Sequence, residues 1–150
     1  MLKNHVIHPN IGYGELKFGL TIDDFIAQYG EPEELDTFDE DEEMNTTLLH
    51  YWKNGISVFF VGLTNQILAG IETDHHQASL FGKQIMGLTE KELMALMEEN
   101  GHANFEREEE DNYIRLSYDF SMMDFFFQKN SLVYMNFGVI VNEDGKIERV

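Results

Sequence analysis

Two stretches of the chain carry a helical period. Residues 19–30, GLTIDDFIAQYG, set Phe25, Ile26 and Tyr29 at i, i+1 and i+4, which is one face of a helix. Residues 87–101, GLTEKELMALMEENG, do the same with Leu93, Met94 and Met97. Thr21 and Thr89 each stand three positions before an acidic residue, Asp24 and Glu92, the capping-box arrangement of a helix start. Gly30 and Gly101 supply stops, and Pro32 keeps the first helix from resuming. Cap, stripe and stop all recur, so the pattern predicts an internal repeat.

The remaining apolar runs alternate or are short, as strands are. In the first half they are LLHYW (48–52), ISVFFV (56–61) and QILAGIET (66–73), with Asn54-Gly55 as a hairpin signal between the first two. In the second half they are YIRLSY (113–118), MDFFFQ (123–128) and LVYMNFGVIV (132–141). Short strands are expected at 15–18 and 83–86, and a last one at 147–150 after the turn NEDGK. Two acidic runs, 31–43 and 106–111, bury too little apolar surface for a core and read as solvated loops or strand ends. Their equivalent placement predicts one charged rim, including Glu31, Glu33, Glu34, Asp39 and Asp41 from the first run and Glu108, Glu109 and Glu110 from the second. The expected fold is α+β: two repeats of a helix plus antiparallel strands, forming one continuous antiparallel sheet with the helices on one face. Residues 1–150 would make a single domain, with repeats at about 15–80 and 81–150.

Alternation sorts the strand residues between faces. An offset of 67 lays ISVFF on MDFFF, so Ile56/Met123, Val58/Phe125 and Phe60/Phe127 are assigned to the core. Leu49/Leu116 and Tyr51/Tyr118 point the same way, as do Val133, Met135 and Phe137 at an offset of 66. The opposite face then carries His50, Trp52, Phe59, Tyr113, Arg115, Phe126 and Tyr134. Trp, Tyr and Arg are the residue types over-represented at interface hot spots, and an exposed aromatic patch on a wet sheet face marks a binding site.

Charge narrows the partner. The chain has 28 acidic and 10 basic residues, net −18, and such a surface repels phosphate backbones and anionic lipid. Nucleic acid and membranes are therefore not expected partners, whereas a basic protein would be steered toward it. There is no cysteine, hence no disulfide and no thiol chemistry. The N-terminal residues lack the apolar run of a signal peptide, so a cytoplasmic protein is expected.

FGLTIDDFIAQYGEP (18–32) is similar to the helix signature of small bacterial domains reading G-[LM]-T-x-x-[DE]-[VF]-x-x-x-x-G-x-P, followed by a hairpin. Tandem copies of such a unit resemble the β-lactamase-inhibitor-protein (BLIP-like) fold, over residues 15–141. A single copy resembles the small outer-membrane assembly lipoproteins. The resemblance implies a concave sheet face that grips another protein and no catalysis. This chain departs from the inhibitor in lacking cysteines and a signal peptide, and no interface residue carries over individually.

Signals for chemistry are thin. Asp74-His75-His76 matches a phosphoesterase tripeptide without its further metal ligands, and reads as a polar linker. The six histidines show no HExxH spacing, and the acidic run from Asp39 lacks the mid-loop glycine of a calcium loop. No GxSxG elbow or phosphate-cradling loop is present. The expectation is thus a non-enzymatic, cofactor-free and metal-free module that binds another, basic protein, as an immunity-type inhibitor would. The alternatives are a self-associating structural or housekeeping protein, a homodimer through the same face, and a small-ligand or enzymatic pocket between the helix layer and the sheet.

Overall fold

The computed structural model describes residues 4–38, 45–62, 65–142 and 144–148. In chain order it begins with β1 (Val6–His8), β2 (Gly12–Tyr13), β3 (Leu16–Lys17) and helix α1 (Ile22–Tyr29). Next come β4 (Glu34–Phe38), β5 (Asn45–Tyr51), β6 (Ile56–Gly62) and β7 (Ile67–Thr73). After β8 (Ser79–Leu80) and β9 (Lys83–Gln84) stands helix α2 (Glu90–Glu99). The chain closes with β10 (Glu106–Glu109), β11 (Ile114–Tyr118), β12 (Met123–Gln128), β13 (Ser131–Gly138), β14 (Ile140–Val141) and β15 (Ile147–Glu148).

Both helices start at the predicted caps. Thr21 Oγ1 accepts the Asp24 N–H at 3.2 Å. At Thr89 the exchange is reciprocal, since the Thr89 N–H also donates to Glu92 Oε1 at 3.0 Å. Helix α1 buries Phe25 against Tyr51 and Phe60 on the inner face of the main sheet.

The expected α+β class does not hold. Among the described residues the protein is mostly β, with 48% in strands and 18% in helices, the short 3-10 turns included. The described strands also divide among three sheets instead of one. The reason lies in segments without an apolar period. The acidic runs, expected as loops or strand ends, contain β4 and β10, which pair with β5 and β11 as the two edges of an eight-stranded antiparallel sheet. Its order is β10-β11-β12-β13-β7-β6-β5-β4, two four-stranded meanders joined through their last strands. The short strands β1, β2, β3, β8 and β9 do not extend that sheet and form a five-stranded one of their own. Strands β14 and β15 pair only with each other, so the predicted strand 132–141 is broken after Gly138.

The predicted alternation places the hairpin residues correctly. Leu49, Tyr51, Ile56, Val58, Phe60, Leu116, Tyr118, Met123, Phe125 and Phe127 are all buried on the core side. Val133 is an exception. Pairing jumps from Phe126–Tyr134 to Phe127–Leu132, a β-bulge that turns Val133 aside and makes Leu132 the core residue. The five-stranded sheet lies on this inner side as well. Tyr13 is fully buried there, with its hydroxyl hydrogen-bonded to Thr73 Oγ1 at 3.2 Å and to His5 Nδ1 at 2.8 Å. His5 stacks on His75, in the segment expected to be a polar linker, at 3.7 Å between ring centroids. The N-terminal strands therefore close the core and leave the outer sheet face open. Among the described residues, no helix is long and apolar enough to cross a membrane.

Candidate functional site

Cross-strand pairing brings one polar residue from every strand of the large sheet into a single row on its outer face. From edge to edge the row reads Glu106, Ser117, Asp124, Asn136, Glu72, Ser57, His50 and Glu34. One side of the row is aromatic: the next outward positions are Trp52 and Asp74 in the first meander and Tyr134, Phe126 and Arg115 in the second. The other side is apolar and low, with Leu48, Phe59, Gly70 and Gly138 in register.

His50 is the best-connected member. Its Nδ1 is 2.7 Å from Ser57 Oγ and its Nε2 is 3.0 Å from Asp36 Oδ2. A neutral imidazole satisfies both contacts if the Ser57 hydroxyl donates to Nδ1 and Nε2–H donates to the carboxylate. Trp52 stacks on the His50 ring at 5.2 Å and is 58% exposed. It belongs to a 3-10 turn, Trp52–Asn54, not to the strand itself. Glu33 holds that turn, because its Oε2 accepts the N–H groups of Trp52 (2.7 Å) and Lys53 (3.3 Å).

The other predicted residues fall into two places. Tyr113, Phe126 and Tyr134 form one aromatic group, Phe126 lying 4.3 Å from Tyr134 in a stacked pair and 5.6 Å from Tyr113 edge-on. Phe126, expected to be exposed, is only 9% exposed because these two rings cover it. Arg115 lies beside Phe126 and is paired with Glu108 at 2.5 Å, which holds its guanidinium in the charged form. Phe59 is separate, across the polar row. The acidic residues do not make one rim: β4 and β10 are opposite edges, and seven spacings of about 4.8 Å put them roughly 34 Å apart. Glu31, Glu34 and Glu110 are exposed, Glu109 pairs with Arg107, and Asp39 and Asp41 lie outside the described residues.

Two clefts flank the row. The first, about 340 Å³, has Trp52 and Tyr134 as walls and Ser57, Glu72, Thr73 and Asp74 among its other lining residues. The second, about 370 Å³, is lined by Phe59, Met122, Asp124 and Gly138 among others. Its Asp119, Met122, Met123 and Asp124 follow Trp52, Gly55, Ile56 and Ser57 of the first cleft by 67 positions. Burial, and then the charge of Asp74, push the Glu72 carboxyl above its ordinary value, while His50 acts the other way. Tyr134 is pushed up by burial and by Glu72 and Tyr113. Sequence reasoning missed Asp36, Glu72 and Asn136, and did not connect Ser57 with His50. The usable signal was the Asn54-Gly55 turn, since pairing the strands across it sets Ser57 opposite His50.

Chemically, Asp36, His50 and Ser57 form the carboxylate–imidazole–hydroxyl chain that can activate a nucleophile. The surroundings argue against that use. Ser57 is 7% exposed and lies in β6, whose backbone donors are spent on β5 and β7, so none beside it is free to stabilise an oxyanion. Glu34, Asp36 and His50 bring ligand atoms within 4.8 Å of one another and could hold a divalent cation, although none was expected here.

No family model matches the chain, and no curated protein matches it. Among solved structures, the chain is similar to an extracellular protein containing a SCP domain from Bacillus anthracis str. Ames, at 12% identity and a TM-score of 0.45. The match covers 80% of this chain and 43% of that one, so the chain spans less than half of that protein's length.

Proposed function

We propose that this protein acts by binding alone, and that the outer face of its eight-stranded sheet takes a basic protein partner. The observation that supports this reading is the polar row itself. It sets carboxylates beside exposed and half-buried aromatic rings on a wide, open face, in a chain of net charge −18. Carboxylates of this kind attract a basic surface at long range, and the rings supply contact area at short range. An immunity-type inhibitor of a cationic enzyme would use both.

The test is affinity capture from lysate with wild type beside Trp52→Ala/Glu34→Lys, two exposed positions whose change leaves the core intact. A basic protein retained by wild type, released by moderate salt and lost by the double variant is the expected result. Equal retention by both forms rejects this face. Recovery of the chain alone, with a dimer in sedimentation, assigns the face to self-association.

A further inference from the structure

We propose that the cleft between Trp52 and Tyr134 is a pocket for one guanidinium group, the side chain of an arginine on the basic partner. The inference rests on the binding-face reading above and names the chemistry at its centre.

Three features of the cleft point to a planar organic cation. The first is an uncompensated carboxylate. Glu72 stands on β7, one of the two central strands of the sheet, and lines the cleft. Its row neighbours on either side, Ser57 and Asn136, are neutral. Among the described residues its side chain takes part in no ion pair or hydrogen bond. Asp74 adds a second negative charge to the same lining, and no lysine or arginine lines it. A half-buried carboxylate facing another and lacking a cation is a destabilised arrangement that a bound cation relieves.

The second feature is the walls. Trp52 has one indole face on His50, and the side chain is largely exposed, which leaves aromatic surface for a cation to stack on. Tyr134 is held in place by its stack on Phe126, so the opposite wall is fixed before anything binds. The third is shape. A cleft of about 340 Å³ lined by two rings and two carboxylates suits a flat fork better than a compact ammonium. The second cleft, built from equivalent positions, also carries two carboxylates, Asp119 and Asp124, but has no tryptophan or tyrosine in its lining, so it lacks the walls of such a seat.

Trp52 is the chain's single tryptophan, and its fluorescence reports on this cleft directly. The experiment titrates N-acetyl-arginine amide into wild type and Glu72→Gln, with citrulline amide, the uncharged analogue of the same shape, as control. Wild type is expected to bind arginine amide saturably in about the millimolar range, citrulline amide at least about tenfold more weakly, and Glu72→Gln to lose about tenfold or more of the arginine affinity. The citrulline comparison needs no variant, so it stands even if the substitution disturbs the fold. Equal binding of the two amides, no binding of either, or an affinity unchanged in a folded Glu72→Gln overturns the pocket. Loss of the pocket with a basic protein still retained by the face leaves the broader reading intact; loss of both removes it too.

Discussion

Helix α1 is eight residues long, too short to persist in water on its own, so its place depends on what Phe25 buries. The Phe25 ring is fully buried and lies 5.4 Å from Tyr29, 5.8 Å from Tyr51 and 5.4 Å from Phe60, the last pair perpendicular. Replacing it with alanine removes a ring from a core that cannot collapse easily, because β6 pairs with strands on both sides and fixes Phe60. Such truncations cost about 3–5 kcal/mol, and each lost aromatic pair accounts for about 0.5–1.5 of that. The Tyr51 hydroxyl, which donates to the Gly30 carbonyl at the helix end at 2.7 Å, would also lose its fixed partner. We therefore expect Phe25→Ala to cost about 4 kcal/mol, a large share of the 5–15 kcal/mol typical of a domain, and Phe25→Leu less than about 1.5. Urea denaturation followed by far-ultraviolet circular dichroism measures both. A loss below about 2 kcal/mol for Phe25→Ala, at unchanged m, would show that α1 is held by other contacts and that this account of the clamp is wrong.

Gly55 sits at φ +67°, and an added Cβ would lie 2.7 Å from Asp74 Oδ1 and 3.2 Å from the His75 nitrogen, so Gly55→Ala should cost at least about 1–2 kcal/mol in the same assay. Burial, then the neighbouring histidine charges, hold His5 and His75 below the ordinary 6.5. Stability from this stack is present above that value and falls as pH drops through the depressed values, so wild type should lose more melting temperature between pH 7.5 and 5.5 than His5→Asn/His75→Asn does. Between low and moderate salt the melting temperature should rise as repulsion among 28 acidic residues is screened; a flat or falling curve would mean the edge carboxylates are already compensated. Glu72 is displaced upward, so its stabilising contribution is complete below 4.5 and is lost as pH rises through its folded value. Glu72→Gln should accordingly be more stable than wild type at pH 7 and show no advantage at pH 4, with thermal melts at the two pH values as the check.

Much of the layout was legible where burial imposed a period. The helix caps are written in Thr21 and Thr89, and the inward hairpin residues follow from alternation because one face of each strand enters the core. What escaped obeyed other rules. Strands β4 and β10 have no buried alternating face, as befits sheet edges: β10 is charged at all four positions, and β4 carries Glu34 and Asp36 and leaves Leu35 and Phe38 exposed. Strands β1, β2 and β8 are two or three residues long, below any detectable period. The bulge that displaces Val133 leaves no mark in composition. At the site, the aromatic residues were visible one by one, but the polar row was not. It exists only through pairing of β7 with β13, strands separated by more than fifty residues of chain.

Two kinds of carboxylate can be told apart among the described residues, and only one bears on the proposed partner. Those on β4 and β10 have a sufficient cause in the edges they guard, and several on or beside these strands are already engaged: Glu108 by Arg115, Glu109 by Arg107 and Glu33 by two backbone N–H groups. Net charge alone is therefore weak support for binding. Glu72 has no such cause. It lies mid-sheet, where no edge needs guarding, and where a neutral residue such as its neighbour Asn136 would pair across the strands without the desolvation that raises its carboxyl. A charge kept at a position where it weakens the fold points to a role outside the fold. If Glu72→Gln is more stable at neutral pH and also loses the arginine amide, the two measurements together assign that role to cation binding. If it is more stable and binds as before, the carboxylate has no part in recognition and the binding face must be sought in the aromatic group around Phe126.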